Sequence, residues 1–159
     1  ADHTVHRMEG PVCISNAICW SPDDSIMYFA DSLKRTLWAY DFDSSAGIIT
    51  NRRNLIEVPE GEGVPDGATV DAEGFIWVAH MRGARVKRYD PDGEVEREIS
   101  FPVSLTSCPA FGGPDMSTLY VTTASSRFGV EDFEREPDAG SIFALDTDVR
   151  GIPEPVFGG

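Results

Sequence analysis

Short stretches of apolar and β-branched residues, each four to eight long, alternate along this chain with clusters of Asp, Ser, Pro and Gly. That period predicts strands joined by tight reversals and leaves no apolar helical face longer than about two turns. The pattern repeats. Met27-Tyr28-Phe29-Ala30-Asp31, Ile76-Trp77-Val78-Ala79-His80 and Leu119-Tyr120-Val121-Thr122-Thr123 are three copies of one strand. Tyr28 and Trp77 lie 49 positions apart, and so do Asp41 and Asp90, which end the following strand in the first two copies. The third copy has Asp146 at that point, after a longer connection. Repeats of this size built from short strands are the mark of β-propeller blades.

The first repeat divides into strands over 13–20, 26–30, 36–42 and 48–56, with turns at Ser21-Pro22-Asp23-Asp24-Ser25 and at 43–47. The second divides into 68–70, 75–79, 85–89 and 94–101, with Asp90-Pro91-Asp92-Gly93 as a hairpin turn. The third gives 108–111, 118–124, 141–146 and 154–157, interrupted by a polar insertion over 125–139 that reads as an exposed loop. Residues 3–8 alternate weakly and fit the outer strand of a preceding blade. The fold class is therefore all-β: a propeller of which residues 1–159 supply about three blades. Propellers close with about four to eight blades, so three leave two bare flanks. The aromatic residues Trp20, Tyr28, Trp38, Trp77, Tyr89 and Tyr120 recur at blade positions and are expected in the core.

A propeller gathers its inner-strand starts at one mouth, so equivalent positions there are the place to look for chemistry. Counting back 12, 11 and 13 positions from Tyr28, Trp77 and Tyr120 leads to Asn16, Asp66 and Ser107. Each is a small oxygen-bearing residue. Hard cations take carboxylate and amide oxygens, so Asn16 and Asp66 are candidate metal ligands, although such residues also serve simply as turn formers. Asp66 has a second possible role as a general base toward water. Ser107 and His80 are weaker candidates for contact with a substrate.

Charge narrows the partners. With 13 Lys and Arg against 27 Asp and Glu, the formal charge is −14. That argues against nucleic acid, whose phosphates need clustered cations. No apolar run approaches the about 20 residues of a membrane-spanning helix, so no membrane is expected. The first residues, Ala-Asp-His-Thr-Val-His, carry no initiator Met and no signal-peptide pattern. Three cysteines without CxxC spacing argue against both a disulfide framework and a zinc site. Buried free thiols and a cytoplasmic location are expected.

Longer runs carry a resemblance. Ile14-Ser15-Asn16 with Trp20-Ser21-Pro22-Asp23, Tyr28-Phe29-Ala30-Asp31-Ser32, Asp41-Phe42-Asp43 and Asn51-Arg52-Arg53 come first. Pro65-Asp66-Gly67 with Asp71-Ala72-Glu73-Gly74, and Thr106-Ser107-Cys108 with Phe111-Gly112-Gly113, follow in order. Together they resemble the gluconolactonase/regucalcin (senescence marker protein) family, in its C-terminal half. The resemblance implies a six-bladed propeller that binds one divalent cation (Ca, Zn, Mn, Mg or Fe) in its channel and hydrolyses sugar lactones. It implies Asn16 and Asp66 as metal ligands and Asp66 as general base. A non-catalytic metal-binding or regulatory propeller, and a structural half-propeller fragment, are the alternatives. The family's third ligand, a Glu, and the Arg and Asn that hold its substrate belong to an N-terminal half outside this sequence. Closure of the ring is then expected from that missing half or from a second copy. Where the family commonly has Asn-Gly, this chain has Asn16-Ala17, and it places Pro109-Ala110 before Phe111.

Overall fold

A computed structural model describes residues 4–153, and within them eleven strands form three antiparallel sheets. The first sheet orders β1 (Ser15–Trp20), β2 (Ile26–Asp31), β3 (Thr36–Asp43) and β4 (Ile48–Glu57). The second orders β5 (Val64–Val70), β6 (Ile76–Met81), β7 (Arg85–Tyr89) and β8 (Val95–Ser100). The third holds β9 (Thr106–Gly112), β10 (Thr118–Thr123) and β11 (Ile142–Asp146). β5 packs against β1 on one side and β9 on the other, so the innermost strands stand side by side along a common channel wall.

Turn chemistry sets the strand ends. Asp71 accepts hydrogen bonds from the backbone N–H of Glu73 and Phe75, and Asp90 accepts from those of Asp92 and Glu94. Both aspartates thereby close the reversal that their position after a strand demands. Pro109 lies inside β9, paired to Val121. An inner strand has a free edge toward the channel, so the missing N–H costs no ladder bond there.

Two cores weld the three sheets. Tyr28, Leu37, Ala39 and Ile56 of the first meet Val70, Ile76, Val78 and Tyr89 of the second. Trp77, Ala79 and Val86 of the second meet Leu119, Val121 and Val149 beside the third. Trp77 is fully buried, and its indole N–H donates to Asp71 at 2.8 Å. Asp71 also accepts from Arg88, whose guanidinium stacks 3.7 Å over the Phe75 ring. The buried carboxylate is thus paired and fully hydrogen-bonded, the condition under which burial of charge is tolerated. On the free side of the first sheet, Met27, Trp38 and Tyr40 form a third cluster against Val12 of the segment leading into β1. Glu9 ties that segment down by accepting from Tyr40 Oη at 2.8 Å.

Several expectations change. The outer strand expected over residues 3–8 is not formed by the described residues 4–8; the segment leading into β1 is tied down instead through Glu9 and Val12. His3 and the strand expected at 154–157 lie outside the described residues. The polar insertion holds one short helix, α1 (Val130–Arg135), where Glu131, Asp132 and Arg135 match the helix dipole. Tyr120 is 41% exposed, since its side of β10 faces away from the second sheet. Only Cys19 is a buried thiol; Cys13 and Cys108 are exposed, and all three are free. No described helix is long and apolar enough to cross a membrane.

Candidate functional site

The same irregularity opens each inner strand. Ser15 pairs with Asp31, Pro65 with His80 and Thr106 with Thr123. In each blade the ladder then slips by one residue, between Asn16 and Cys19, between Pro65 and Ala68, and beside Ser107. Asn16, Asp66 and Ser107 are therefore equivalent residues, each one position past the matching pair; Asp66 and Ser107 lie within their bulges, while Asn16 still pairs with Ala30 and the first bulge falls just after it, at Ala17 and Ile18. A bulge turns a side chain out of the sheet's alternation, which is how such positions come to line a mouth. Ala17, at the first of these bulges, has φ 53°, in the left-handed region where Gly is favoured.

Residues of all three blades meet at a cleft beside Asp66, which is not itself among the residues that line it. A cleft of about 380 Å³ is lined by Ser15, Asn16 and Phe29 on one side and by Gly67, Ala68 and Cys108 on the other. Gly67 is required by contact: a Cβ there would meet Cys108 Sγ at 2.6 Å and Cys108 Cα at 2.8 Å. The Pro-Asp-Gly run thus presents Asp66 while letting β5 and β9 touch. Burial pushes the half-buried Asp66 carboxyl above the ordinary carboxylate range, and the Asn16 side chain pulls it back. Cys108 is exposed as a residue, but its sulfur packs against Gly67, and that partial desolvation, then the Asp66 charge, raise its thiol.

Asn16 is held in turn. Its Nδ2 donates to Ser32 Oγ at 2.8 Å, and Ser32 Oγ donates to the Pro65 carbonyl at 2.7 Å. Asp31, fully buried, accepts from the N–H groups of Cys13, Ile14 and Leu33 and so fixes the backbone just before Asn16. Burial alone would raise its pKa, but these N–H groups and that of Lys34 outweigh it and hold it below the usual value. Asp31 and Ser32 were legible in the sequence only as parts of a longer run. Their position after β2, next to a mouth residue, is the signal that could have singled them out.

The remaining candidates are placed differently. His80 is fully buried. Its Nδ1 stands 3.0 Å from the Glu62 carbonyl and its Nε2 2.9 Å from Tyr89 Oη. Because a carbonyl only accepts, Nδ1 carries the proton and Tyr89 donates to Nε2. Burial pushes its pKa below 6.5, so a neutral ring ties the loop before β5 to the blade and has no face toward the cleft. Ser107 is half-buried and shares a 2.8 Å hydrogen bond with Thr122. The polar insertion reaches the same end of the third blade, where Glu136 accepts from the N–H and hydroxyl of Ser104.

Asn16 and Asp66 offer amide and carboxylate oxygens, the donor set of a hard divalent cation. Such a cation takes six or more oxygens, so two side chains make part of a site. Among the described residues no group of three or more His, Cys, Asp or Glu side chains is gathered as a metal cluster.

Comparison with known proteins shows the family and the fold. Residues 1–125 match the family model described as the SMP-30/Gluconolactonase/LRE-like region. The chain is 39% identical over 160 residues to regucalcin of Oryctolagus cuniculus, covering 99% of this chain and 54% of that protein. It is similar to the crystal structure of a calcium-binding protein, regucalcin, from Agrobacterium tumefaciens, with TM-score 0.93 and 35% identity over 98% of this chain and 53% of that one. A luciferin-regenerating enzyme gives TM-score 0.85 and 32% identity over 95% of this chain and 51% of its own. The chain spans about half the length of the relatives it matches, and its three sheets correspond to half of a six-bladed propeller.

Proposed function

Because the chain belongs to the SMP-30/gluconolactonase/regucalcin family, we propose that it forms part of a divalent-cation site at the mouth of a six-bladed propeller, with Asn16 and Asp66 as two of the oxygen ligands. The observation that carries this reading is the placement of both residues one position past equivalent pairs, Ser15 with Asp31 and Pro65 with His80, on neighbouring inner strands, with the Asn16 amide acting on the Asp66 carboxyl. Calcium is the first candidate, since the Agrobacterium relative is described as calcium-binding and the donors are all oxygen. Further ligands come from three more blades, supplied by an N-terminal half-chain or by a second copy. The test is a calorimetric titration of the intact polypeptide with Ca²⁺ and Mn²⁺. Stoichiometric binding that weakens in both Asn16→Ala and Asp66→Ala supports the reading, and unchanged affinity in either variant removes that residue from the site.

A second reading, hydrolysis of a sugar lactone, is favoured by the environment of Asp66. Burial raises its carboxyl above its ordinary value and so makes it a stronger base. A bound cation would supply Lewis-acid polarisation of the lactone carbonyl. Asp66 would take the proton of a water adding to that carbonyl. The ring C–O bond then breaks and the proton returns to the departing alkoxide, giving the open hydroxy acid. Asp66→Asn keeps an oxygen ligand but cannot accept the proton. It should lose turnover by a factor of about 10² or more while retaining part of the metal affinity. Near-normal kcat with metal bound would remove Asp66 from the base role.

A further inference from the structure

Two of the three blades carry four strands, and the third carries three among the described residues. β4 and β8 run antiparallel along the outer edges of β3 and β7, and no described strand does so along β11. The chain does not turn back onto that edge after Asp146. Thr147 donates its N–H to the Ser117 carbonyl, and Gly151 donates to that of Met116 and bridges to Asp71. It therefore runs inward, toward the ends of β9 and β5. β11 has no buried residue, and Ile142 is 69% exposed, whereas its counterparts β3 and β7 are buried along most of their length. An open edge of this kind is a template for one more strand.

The chain also holds a strand-sized piece without a blade. β4 ends nine positions before Asp66, and β8 ends seven before Ser107. The same interval before Asn16 would end an outer strand at residues 7–9. Val5-His6-Arg7-Met8 lies there, outside any strand, with Val5 94% and Met8 47% exposed. The residues that follow take the route of a connection between blades. Glu9 accepts from Tyr40 Oη of β3 and pairs with Arg52 of β4, as Glu62, on the way from β4 to β5, pairs with Lys87 of β7. Residues 5–8 thus stand on the free side of the first blade, where the outer strand of a preceding blade would stand.

We propose that the outer edge of β11 receives residues 5–8 of a second copy of the chain as the fourth strand of the third blade. The vacancy and the spare strand cannot meet within one copy. Glu9 holds the segment on the first blade, and the second blade separates that blade from the third. The exchanged strand runs antiparallel, with Met8 toward Ile142 and Val5 toward Leu145, the polarity of β4 on β3 and of β8 on β7. Under two-fold symmetry each copy donates once and receives once, and the ring closes at six blades. The exchange needs no bound cation, so it stands apart from the metal-binding reading.

Two experiments on the 159-residue chain decide it. Light scattering should give twice the 17.4 kDa chain mass. Successive N–H groups of an edge strand point to opposite sides, so either Val5→Pro or His6→Pro must remove a ladder donor. At least one of them should raise the dimer dissociation constant about tenfold. The second experiment locates the contact independently of those variants. In a Cys13→Ser, Cys108→Ser background, which removes the exposed thiols, a Val5→Cys chain is mixed with an Ala144→Cys chain and treated with a short bis-maleimide. The mixture should yield a covalent dimer, and neither chain alone should do so. A monomer of 17.4 kDa, a dimer that both proline variants leave within about twofold, or cross-linking no greater in the mixture than in either chain alone refutes the proposal.

Discussion

Gly67→Ala is the sharpest test of how the blades create the cleft. The added Cβ would stand 2.6 Å from Cys108 Sγ, 2.7 Å from Cys108 Cβ and 2.8 Å from Cys108 Cα. The sulfur could rotate aside, but the Cα cannot, because Cys108 is paired to Thr122 in the sheet. Overpacking of this kind costs about 1–3 kcal/mol, and a backbone obstacle places the loss at about 2–3 kcal/mol. Cys108→Gly in the same background removes two of the three clashing atoms and should return about 1 kcal/mol, a coupling that a double-mutant cycle measures. Urea unfolding gives each term, provided the slope of free energy against denaturant is unchanged. Asp66 precedes Gly67, so the displaced β5 should also weaken Mn²⁺ binding. A loss below about 0.5 kcal/mol, or no recovery with Cys108→Gly, would show that the β5–β9 approach is not what the glycine serves.

Three further outcomes are expected. His80 is held below 6.5 by burial, with Glu62, Lys87, Arg85 and Tyr89 around it; the unfolded chain takes up a proton that the native ring refuses, so stability should fall as pH drops through 6.5. His80→Gln should flatten that slope in thermal melts between pH 8 and 5.5, and an unchanged slope would remove His80 as its source. Ala17→Gly relieves a left-handed alanine and should cost less than Ala39→Gly, a buried strand alanine with no positive φ, by about 1 kcal/mol in denaturant unfolding; equal costs would refute the strain. Tyr120 and Ile142, on β10 and β11, are large apolar residues left exposed, and three blades leave two bare flanks, so the 159-residue chain produced alone should associate, and a stable 17.4 kDa species by light scattering would contradict this.

The strands were legible because turn and core chemistry repeat: Thr36, Ile48 and Arg85 begin strands where the alternation places them. Strand starts at the mouth were not, since the bulges just after Asn16 and at Asp66 and Ser107 break the period that reveals a strand. β5 accordingly begins at Val64, four residues earlier than its apolar pattern at Ala68. The equivalence of the three mouth residues was nevertheless visible by counting from the aromatics. What could not be read was direction. His80 turns inward and is satisfied by Tyr89 and a carbonyl, while Ser32, unremarkable in one dimension, meets Asn16 and Pro65 only once two blades are side by side. The left-handed backbone at Ala17 was equally hidden, because its residue type advertises no such need.

The central claim, that Asn16 and Asp66 share one divalent cation, is tested most directly by anomalous diffraction from a crystal of the intact polypeptide soaked in Mn²⁺. The account predicts one strong peak within about 2.0–2.6 Å of both Asn16 Oδ1 and an Asp66 carboxylate oxygen. A peak that contacts neither residue, or occupancy unchanged in Asp66→Ala, would contradict it.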